Sequence, residues 1–344
     1  CGTKVKEGRP LKAVFLDQHG GPDVLKYGDI SEANVGSHDV KIEVRACALN
    51  RLDLYSRAGA RGTKRIFSGP HVLGSDLAGD VVEIGSEVNN VTIGMRVVVN
   101  PLVTCMQCSH CLSGSVELCG TSGMVGSTTN GGYAEYAVVP AANIIPLPES
   151  ISYSEGASLP TVFMPSWNII IRRSNLQPWE TILVPSASSG VGSAAIQLAK
   201  NMGAMTFGTA GSQEKLDKAK ALGLDFGVNY NKEQFSEVVK SNTEGRGVDV
   251  ILDVIGAPYW VDNISSLAVK GRMVIVGTMG GATQEVNLGS LMQKRLRVHG
   301  TVLRARSIPE KTTLTQQFIK HVLPLLADER IEPVIDKVFP LEEV

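Results

Sequence analysis

Between residue 11 and about residue 150, apolar positions alternate with polar ones or gather in short β-branched blocks. Lys12–Leu16, Val40–Ala46 and Tyr133–Val139 read as strands on that pattern. Gly74 and Gly79 punctuate the run Leu73–Ile84 and Gly85 closes it, as bulges and corners do in a small closed barrel. From about residue 180 the period changes. Thr181–Val184 is a short apolar strand, and Val191–Met202 carries apolar residues at helical spacing. Met205–Gly208 is a second strand and Gln213–Leu222 a second helix, and strand-like runs recur at Val248–Val254 and Met273–Val276. Strand and helix in alternation predict a parallel sheet covered on both faces. The chain therefore reads as α/β in class. An all-β domain over 1–155 precedes a doubly wound α/β domain over 156–329, with the junction in Pro146–Pro160.

Composition agrees with that division. A chain of 344 residues exceeds one ordinary core. With 43% hydrophobic residues, 19% charged and a net charge of −1, it reads as a soluble globular protein. It lacks the basic excess of a nucleic-acid binder and any run of about 18 apolar residues that would span a membrane. The partner left is a small-molecule substrate. The 36 glycines suit tight turns and close backbone approaches. The start at Cys1 without methionine reads as that of a clipped or partial chain, since no signal segment supports a processed lipoprotein, and the chain stops at Val344 in mid-pattern.

The most specific chemical signal is Cys105-Met-Gln-Cys108-Ser-His-Cys111, followed by Cys119. Four of the six cysteines thus fall in one loop with C-x2-C-x2-C-x7-C spacing. Four thiolates about 2.3 Å from one metal make a closed tetrahedral site for a structural Zn2+, with no position for substrate. The predicted zinc lobe covers 101–125. Two disulfides would use the same residues, but only Cys1 and Cys47 remain elsewhere, unlike a disulfide-dense secreted scaffold. Thiolates reserved for zinc favour a reducing compartment, and the cytoplasm is expected.

A second signal is the turn between the first strand and helix of the α/β domain, Val184-Pro-Ser-Ala187-Ser-Ser189-Gly190-Val191-Gly192. Its small residues let the backbone approach a pyrophosphate, and the helix that follows offers amide donors and a favourable dipole. Ala187 and Ser189 replace two glycines of the G-x-G-x-x-G fingerprint, so position rather than spelling carries the reading. An NAD site places a carboxylate at the end of the second strand. Ala210 stands there, and Ser212 and Lys215 can take a 2′-phosphate by hydrogen bond and charge. Glu214 reads as the outward face of a first helical turn. The cofactor expected is NADPH (NADP+).

Taken in order, Asn50-Arg-Leu-Asp53, Gly74-Ser-Asp76-Leu-Ala-Gly79-Asp-Val81, the four-cysteine lobe, the Ala187–Gly192 loop and the Asp249–Gly256 strand end resemble the medium-chain dehydrogenase/reductase superfamily over essentially the whole chain. The resemblance implies a GroES-like barrel carrying substrate contacts and a Rossmann domain, with the active site between them and 330–344 returning to the barrel. It also implies a homodimer or homotetramer. Tyr230 sits where the zinc-independent branch contacts the adenosine phosphate, and Gly256 joins the cofactor site at its strand end. Zinc alcohol dehydrogenases hold a second, catalytic zinc. Its ligand positions align here with Asn50, Ser75 and about Thr161, so the lobe zinc reads as retained and the catalytic one as lost. Cys47 reads as a core thiol.

Without that Lewis acid, alcohol–ketone interconversion lacks its largest electrostatic assistance. Quinones and enones delocalise charge themselves, so NADPH-dependent reduction of a quinone, enone or similar activated carbonyl compound is expected. Asn50 is the expected donor to the substrate oxygen, Tyr55 or Ser75 the hydroxyl, and Asp53 the organiser of its loop. The tyrosine of some enoyl-thioester reductases falls near Arg61. His71 and His110 read as solvated loop histidines. Two other readings keep the same motifs: an alcohol or aldehyde dehydrogenase with an atypical metal site, and a non-catalytic NADPH-binding protein.

Overall fold

A computed structural model describes residues 10–103, 108–113, 122–301 and 308–344. They divide into two compact units. The first takes the described residues within Cys1–Thr161, Arg304–Ala327 and Glu332–Val344, the second those within Val162–Leu303 and Asp328–Ile331.

The first unit is built on antiparallel strands. A five-stranded sheet runs in the order Ile144–Pro146, Arg96–Val99, Asp76–Ile84, Asp39–Ala48 and Tyr136–Pro140. A three-stranded sheet joins Lys26–Ser31, Pro10–Leu16 and His71–Val72. The period-two pattern explains which side is inside: Val40 and Ile42 are fully buried with Leu77, Val97 and Val99, while Lys41 between them pairs with Glu32 and Glu83. Gly79 lies opposite Val44, where the register shifts. A Cβ there would overlap the Glu43 carbonyl oxygen, so the two strands close only over glycine. Tyr133 and Ala134, read as strand from the sequence, instead cross to the other sheet. Val14 donates to the Tyr133 carbonyl at 2.8 Å, and Ala134 bridges Ala13.

The second unit carries six parallel strands in the order Phe226–Asn229, Met205–Ala210, Thr181–Val184, Val248–Asp253, Leu267–Ile275 and Arg297–Gly300. The helices Gly190–Asn201 and Gln213–Ala221 follow the first two strands in chain order. Leu183, Phe207, Val228 and Ile251 are fully buried in its core, and Phe207 stacks on Phe226 at 4.7 Å between centroids. Because Thr181–Val184 and Val248–Asp253 are neighbours at the centre, the chain reverses its winding there and the loops beyond both strand ends open a crevice. No helix among the described residues is long and apolar enough to cross a membrane.

Candidate functional site

The loop after Thr181–Val184 is shaped by contacts on every side. Ser186 adopts a left-handed φ of 64°. Ala187 donates its amide to the Thr209 carbonyl at 2.8 Å, tying the loop to the next strand. Ser189 caps the helix Gly190–Asn201, its Oγ accepting from the Gly192 amide at 3.0 Å. The amides of Gly190 and Val191, at the first two helical positions, have no carbonyl within the helix to meet. A Cβ at Gly192 would overlap the Ser186 carbonyl oxygen. The result is a shallow backbone cradle at the positive end of a helix, which suits a pyrophosphate.

The neighbouring strand ends at buried Ala210. Ser212 caps the helix Gln213–Ala221, its Oγ accepting from the Lys215 amide at 3.4 Å, so its oxygen holds the helix while its proton remains available. The Lys215 side chain is exposed on that turn, whereas Glu214 is turned to Lys218 at 3.0 Å. Tyr230 donates its amide to the Ala210 carbonyl at 3.2 Å. Its hydroxyl lies against the Gly211 backbone, where an added Cβ would be 2.6 Å away. Asn231, which the sequence did not single out, donates to the Gly211 carbonyl at 2.9 Å.

On the other side of the central strand, Gly256 (φ 86°) donates to Asp253 Oδ1 at 3.0 Å. Asp253 is also new. Its Oδ2 is buried without a hydrogen-bond partner among the described residues, and burial raises its pKa. The structure thus gathers Ala187, Ser189, Gly190, Val191 and Gly192 in one turn. Ala210, Ser212, Lys215 and Tyr230 lie beside it at one strand end, and Gly256 follows the strand on the opposite side.

In the first unit the residues around Asn50 form a connected set. The Asn50 amide nitrogen of the backbone donates to Asp53 Oδ2 at 2.8 Å, and Gly74 donates to Asp53 Oδ1 at 3.2 Å. Asp53 therefore ties the start of the helix Arg51–Ala58 to the Gly74 turn, and burial pushes its pKa up to about 6. The Asn50 side chain reaches two residues outside the expected catalytic group. Its Nδ2 lies 3.1 Å from Asp76 Oδ2 and its Oδ1 2.7 Å from Thr161 Oγ1. Thr161 in turn places Oγ1 at 2.5 Å and its backbone nitrogen at 3.1 Å from Asp76 Oδ2. Asp76 is wholly buried, and desolvation outweighs these hydrogen bonds to push its pKa up to about 7.

Ser75 is also wholly buried, its Oγ unpartnered among the described residues. Tyr55 is half-buried, with the Arg61 guanidinium 5.2 Å from its ring centre. The Cys47 thiol packs with the barrel clusters and is pushed well above its ordinary range by burial, then by Asp53 and Asp76. The set joined at Asn50 comprises an amide, a hydroxyl and one carboxyl group hydrogen-bonded to one another. It contains no thiol or imidazole, the donors that zinc prefers, and does not fit a second zinc.

The sequence reading of His71 as a solvated loop residue is corrected by the structure. His71 begins a short strand and is 2% exposed, with Nδ1 3.2 Å from Asn130 Oδ1 and Nε2 3.2 Å from the Gly126 carbonyl. Burial, then the Arg65 charge, lowers its pKa to about 4. A period-two position beside Val72 was the only available signal.

Cys105, Cys119 and the side chain of His110 lie outside the described residues. Cys108 caps the short helix Ser109–Leu112, its Sγ accepting from the Cys111 amide at 3.4 Å, and Cys111 is buried. Two thiols presented on one turn suit a tetrathiolate zinc site. For the four-cysteine site expected from the sequence, Cys111→Ser should abolish zinc binding and lower the melting temperature by several degrees, while NADPH affinity changes less than twofold. Metal analysis and calorimetry on the same sample check this, and unchanged zinc content would rule out the four-cysteine site.

An antiparallel barrel joined in one chain to a doubly wound sheet, whose central crevice offers a phosphate cradle, defines a two-domain nicotinamide-dependent oxidoreductase. Comparison with known proteins gives the family. Residues 36–149 match the alcohol dehydrogenase GroES-like domain and residues 190–321 the zinc-binding dehydrogenase model. The chain is 32% identical to an NAD-dependent alcohol dehydrogenase of Sulfolobus acidocaldarius, over 97% of its own length and 94% of that protein. It is 28% identical to the quinone oxidoreductase of Homo sapiens, over 97% and 92%. Among solved structures, an NAD-dependent alcohol dehydrogenase superposes with a TM-score of 0.86 at 34% identity, covering 96% of this chain and 93% of that one. A quinone oxidoreductase of Pseudomonas syringae gives 0.78 at 29% identity, covering 97% and 93%. The chain belongs to the medium-chain dehydrogenase/reductase family and is an NAD(P)-dependent oxidoreductase.

Proposed function

We propose that the protein is an NADPH-dependent reductase of quinones, enones or similar activated carbonyl compounds. The observation that carries this reading is the set Asn50–Thr161–Asp76, which offers a substrate oxygen an amide N–H and offers zinc no thiol or imidazole. When bound, NADPH supplies the hydride. The protein supplies position and charge. Gly190 and Val191 amides hold the pyrophosphate, and Lys215 with the Ser212 hydroxyl holds the 2′-phosphate where an NAD site would carry an acid. Asn50 orients the acceptor oxygen. An isolated ketone would place full negative charge on that oxygen, and one neutral donor is weak compensation for it. A quinone or enone spreads the charge and needs less. The name of the human relative supports this acceptor class, and that of the Sulfolobus relative supports the alternative of alcohol oxidation with NAD.

The test is cofactor oxidation with a quinone and an enone, with and without a chelator. NADPH-driven turnover that survives chelation is expected. Lys215→Ala should raise KM for NADPH about tenfold or more and leave KM for NADH unchanged, since a charge-assisted contact is worth roughly 1.5–3 kcal/mol. Equal use of NADH by the unaltered enzyme, or chelator-sensitive oxidation of alcohols, would overturn the proposal.

A further inference from the structure

We propose that Asp76 is held as the neutral carboxylic acid, and that its proton closes a hydrogen-bonded ring with Thr161 and Asn50 that locks the Asn50 amide in place. Asp76 and Thr161 are then positioning residues for the group that meets the substrate oxygen. That last step rests on the function proposed above; the ring itself does not.

The argument is a count of hydrogens. Three contacts close the ring: Asn50 to Asp76 Oδ2 at 3.1 Å, Asn50 to Thr161 Oγ1 at 2.7 Å, and Thr161 Oγ1 to Asp76 Oδ2 at 2.5 Å. Each needs one hydrogen between its two heavy atoms, because two bare oxygens at such distances repel. The Asn50 amide places one hydrogen in the ring, and the Thr161 hydroxyl has only one to give. The third must come from Asp76. With the Asn50 amide rotated by a half turn, the amide donates to Thr161, Thr161 donates to Asp76, and a proton on Asp76 closes the remaining 3.1 Å contact to the amide oxygen. Within the ring every member donates once and accepts once in either sense, Asp76 Oδ2 accepting in addition from the Thr161 backbone N–H at 3.1 Å, and the second N–H of Asn50 is left for a ligand.

The other carboxyl oxygen agrees. Asp76 Oδ1 is buried and has no donor among the described residues. An ionised carboxylate would place half a negative charge there uncompensated, whereas a carbonyl oxygen of a neutral acid tolerates the site far better. The titratable groups facing Asp76 are Asp53, Cys47 and Tyr133. None is a cation that would favour ionisation. Asp53 opposes it by repulsion, and the Cys47 thiol and Tyr133 hydroxyl are themselves held neutral.

The consequence for catalysis is a pH limit. Ionising Asp76 opens the ring and places a negative charge one residue away from the oxygen on which negative charge develops. Reduction therefore slows as pH rises past neutrality.

Difference infrared spectroscopy on the whole protein tests the ring without any substrate. At pH 6, the C=O stretch of a protonated carboxylic acid is expected in the wild type and missing in Asp76→Asn, and raising the pH to 9 should remove it from the wild type. Kinetics then tests the positioning role. From pH 6 to pH 9, kcat should fall at least fivefold in the wild type and stay nearly constant in Asp76→Asn, whose amide can both donate and accept. Thr161→Val should lower kcat about tenfold at every pH with a smaller change in KM, and Thr161→Ser should restore it. No protonated-acid band assignable to Asp76 at pH 6 would overturn the ring whatever the activity. A band present with Thr161→Val fully active would overturn the positioning role. A band present with no turnover of quinone or enone would uphold the ring and remove the substrate class instead.

Discussion

Replacing Gly192 with alanine is expected to reduce cofactor affinity at least about 100-fold, a loss of about 2.7 kcal/mol. The reason is local. The new methyl group would occupy the place of the Ser186 carbonyl oxygen and crowd Ser189 Oγ at 2.9 Å. To relieve this the loop must open, and it then gives up both the Ser189 cap and the backbone surface proposed to receive the pyrophosphate. Crowding of this kind costs about 1–3 kcal/mol, so the sheet should survive with a lowered melting temperature. Titration calorimetry with NADPH, alongside circular dichroism, separates the two effects. Gly69→Ala is the matched control: nothing lies within 4 Å of its added Cβ. Affinity within threefold of the wild type in the Gly192 variant would mean that the pyrophosphate binds elsewhere.

The second large effect concerns pH and stability. Asp53 and Asp76 have folded pKa values of about 6 and about 7, above the usual unfolded carboxyl value of about 3.9. Both bind their proton more tightly in the folded protein. Their contribution is fully present below about pH 4 and is lost as the pH rises through 6 and 7. His71 works in the opposite direction. Its folded value of about 4 lies below the unfolded value of about 6.5, so its contribution is present above pH 6.5 and lost as the pH falls to 4.

Asp76→Asn removes the larger of the two carboxyl contributions. Between pH 4 and pH 8 its stability should gain on the wild type by about 3–4 kcal/mol, since three pKa units are worth about 4 kcal/mol. Urea denaturation across that range measures the gap. A gap that does not change with pH would mean that Asp76 is already ionised at pH 4 in the folded protein, contrary to the hydrogen-bonded ring.

Much of this fold is legible along the chain because it depends on neighbours in sequence. Thr181–Val184 is observed as read, the first helix is displaced by one residue to Gly190–Asn201, and the second strand runs on to Ala210. Less was visible where a strand is short or its partner is distant. Arg96–Val99, Phe226–Asn229 and Arg297–Gly300 have four residues each, too few to show a period. Tyr133–Glu135 has the right residues for a strand, yet contacts with Leu73 and Val14 decide its course. The same division holds at the sites. Ser189, Gly190 and Gly192 follow from one turn between a strand and a helix. Asn231 and Asp253 matter through atoms that meet only in the folded sheet.

Asn50 shows the limit most clearly. Its own position could be read from the short motif before a helix, and Asp76 and Thr161 each stood out as isolated positions. That the three share one ring could not be read, because they lie 26 and 85 residues apart along the chain from Asn50 to Asp76 and from Asp76 to Thr161. The sequence by itself determined the two-part architecture, the turn of small residues between Thr181–Val184 and the helix that follows, and the uncharged strand end at Ala210, since each is set by residue type and local spacing. Only the tertiary structure decided that Asp76 is buried against Asn50 and Thr161, that His71 lies in the core, and which partners the Asn50 side chain meets. Burial and hydrogen-bond partnership arise from contacts between distant segments, and no local pattern encodes them.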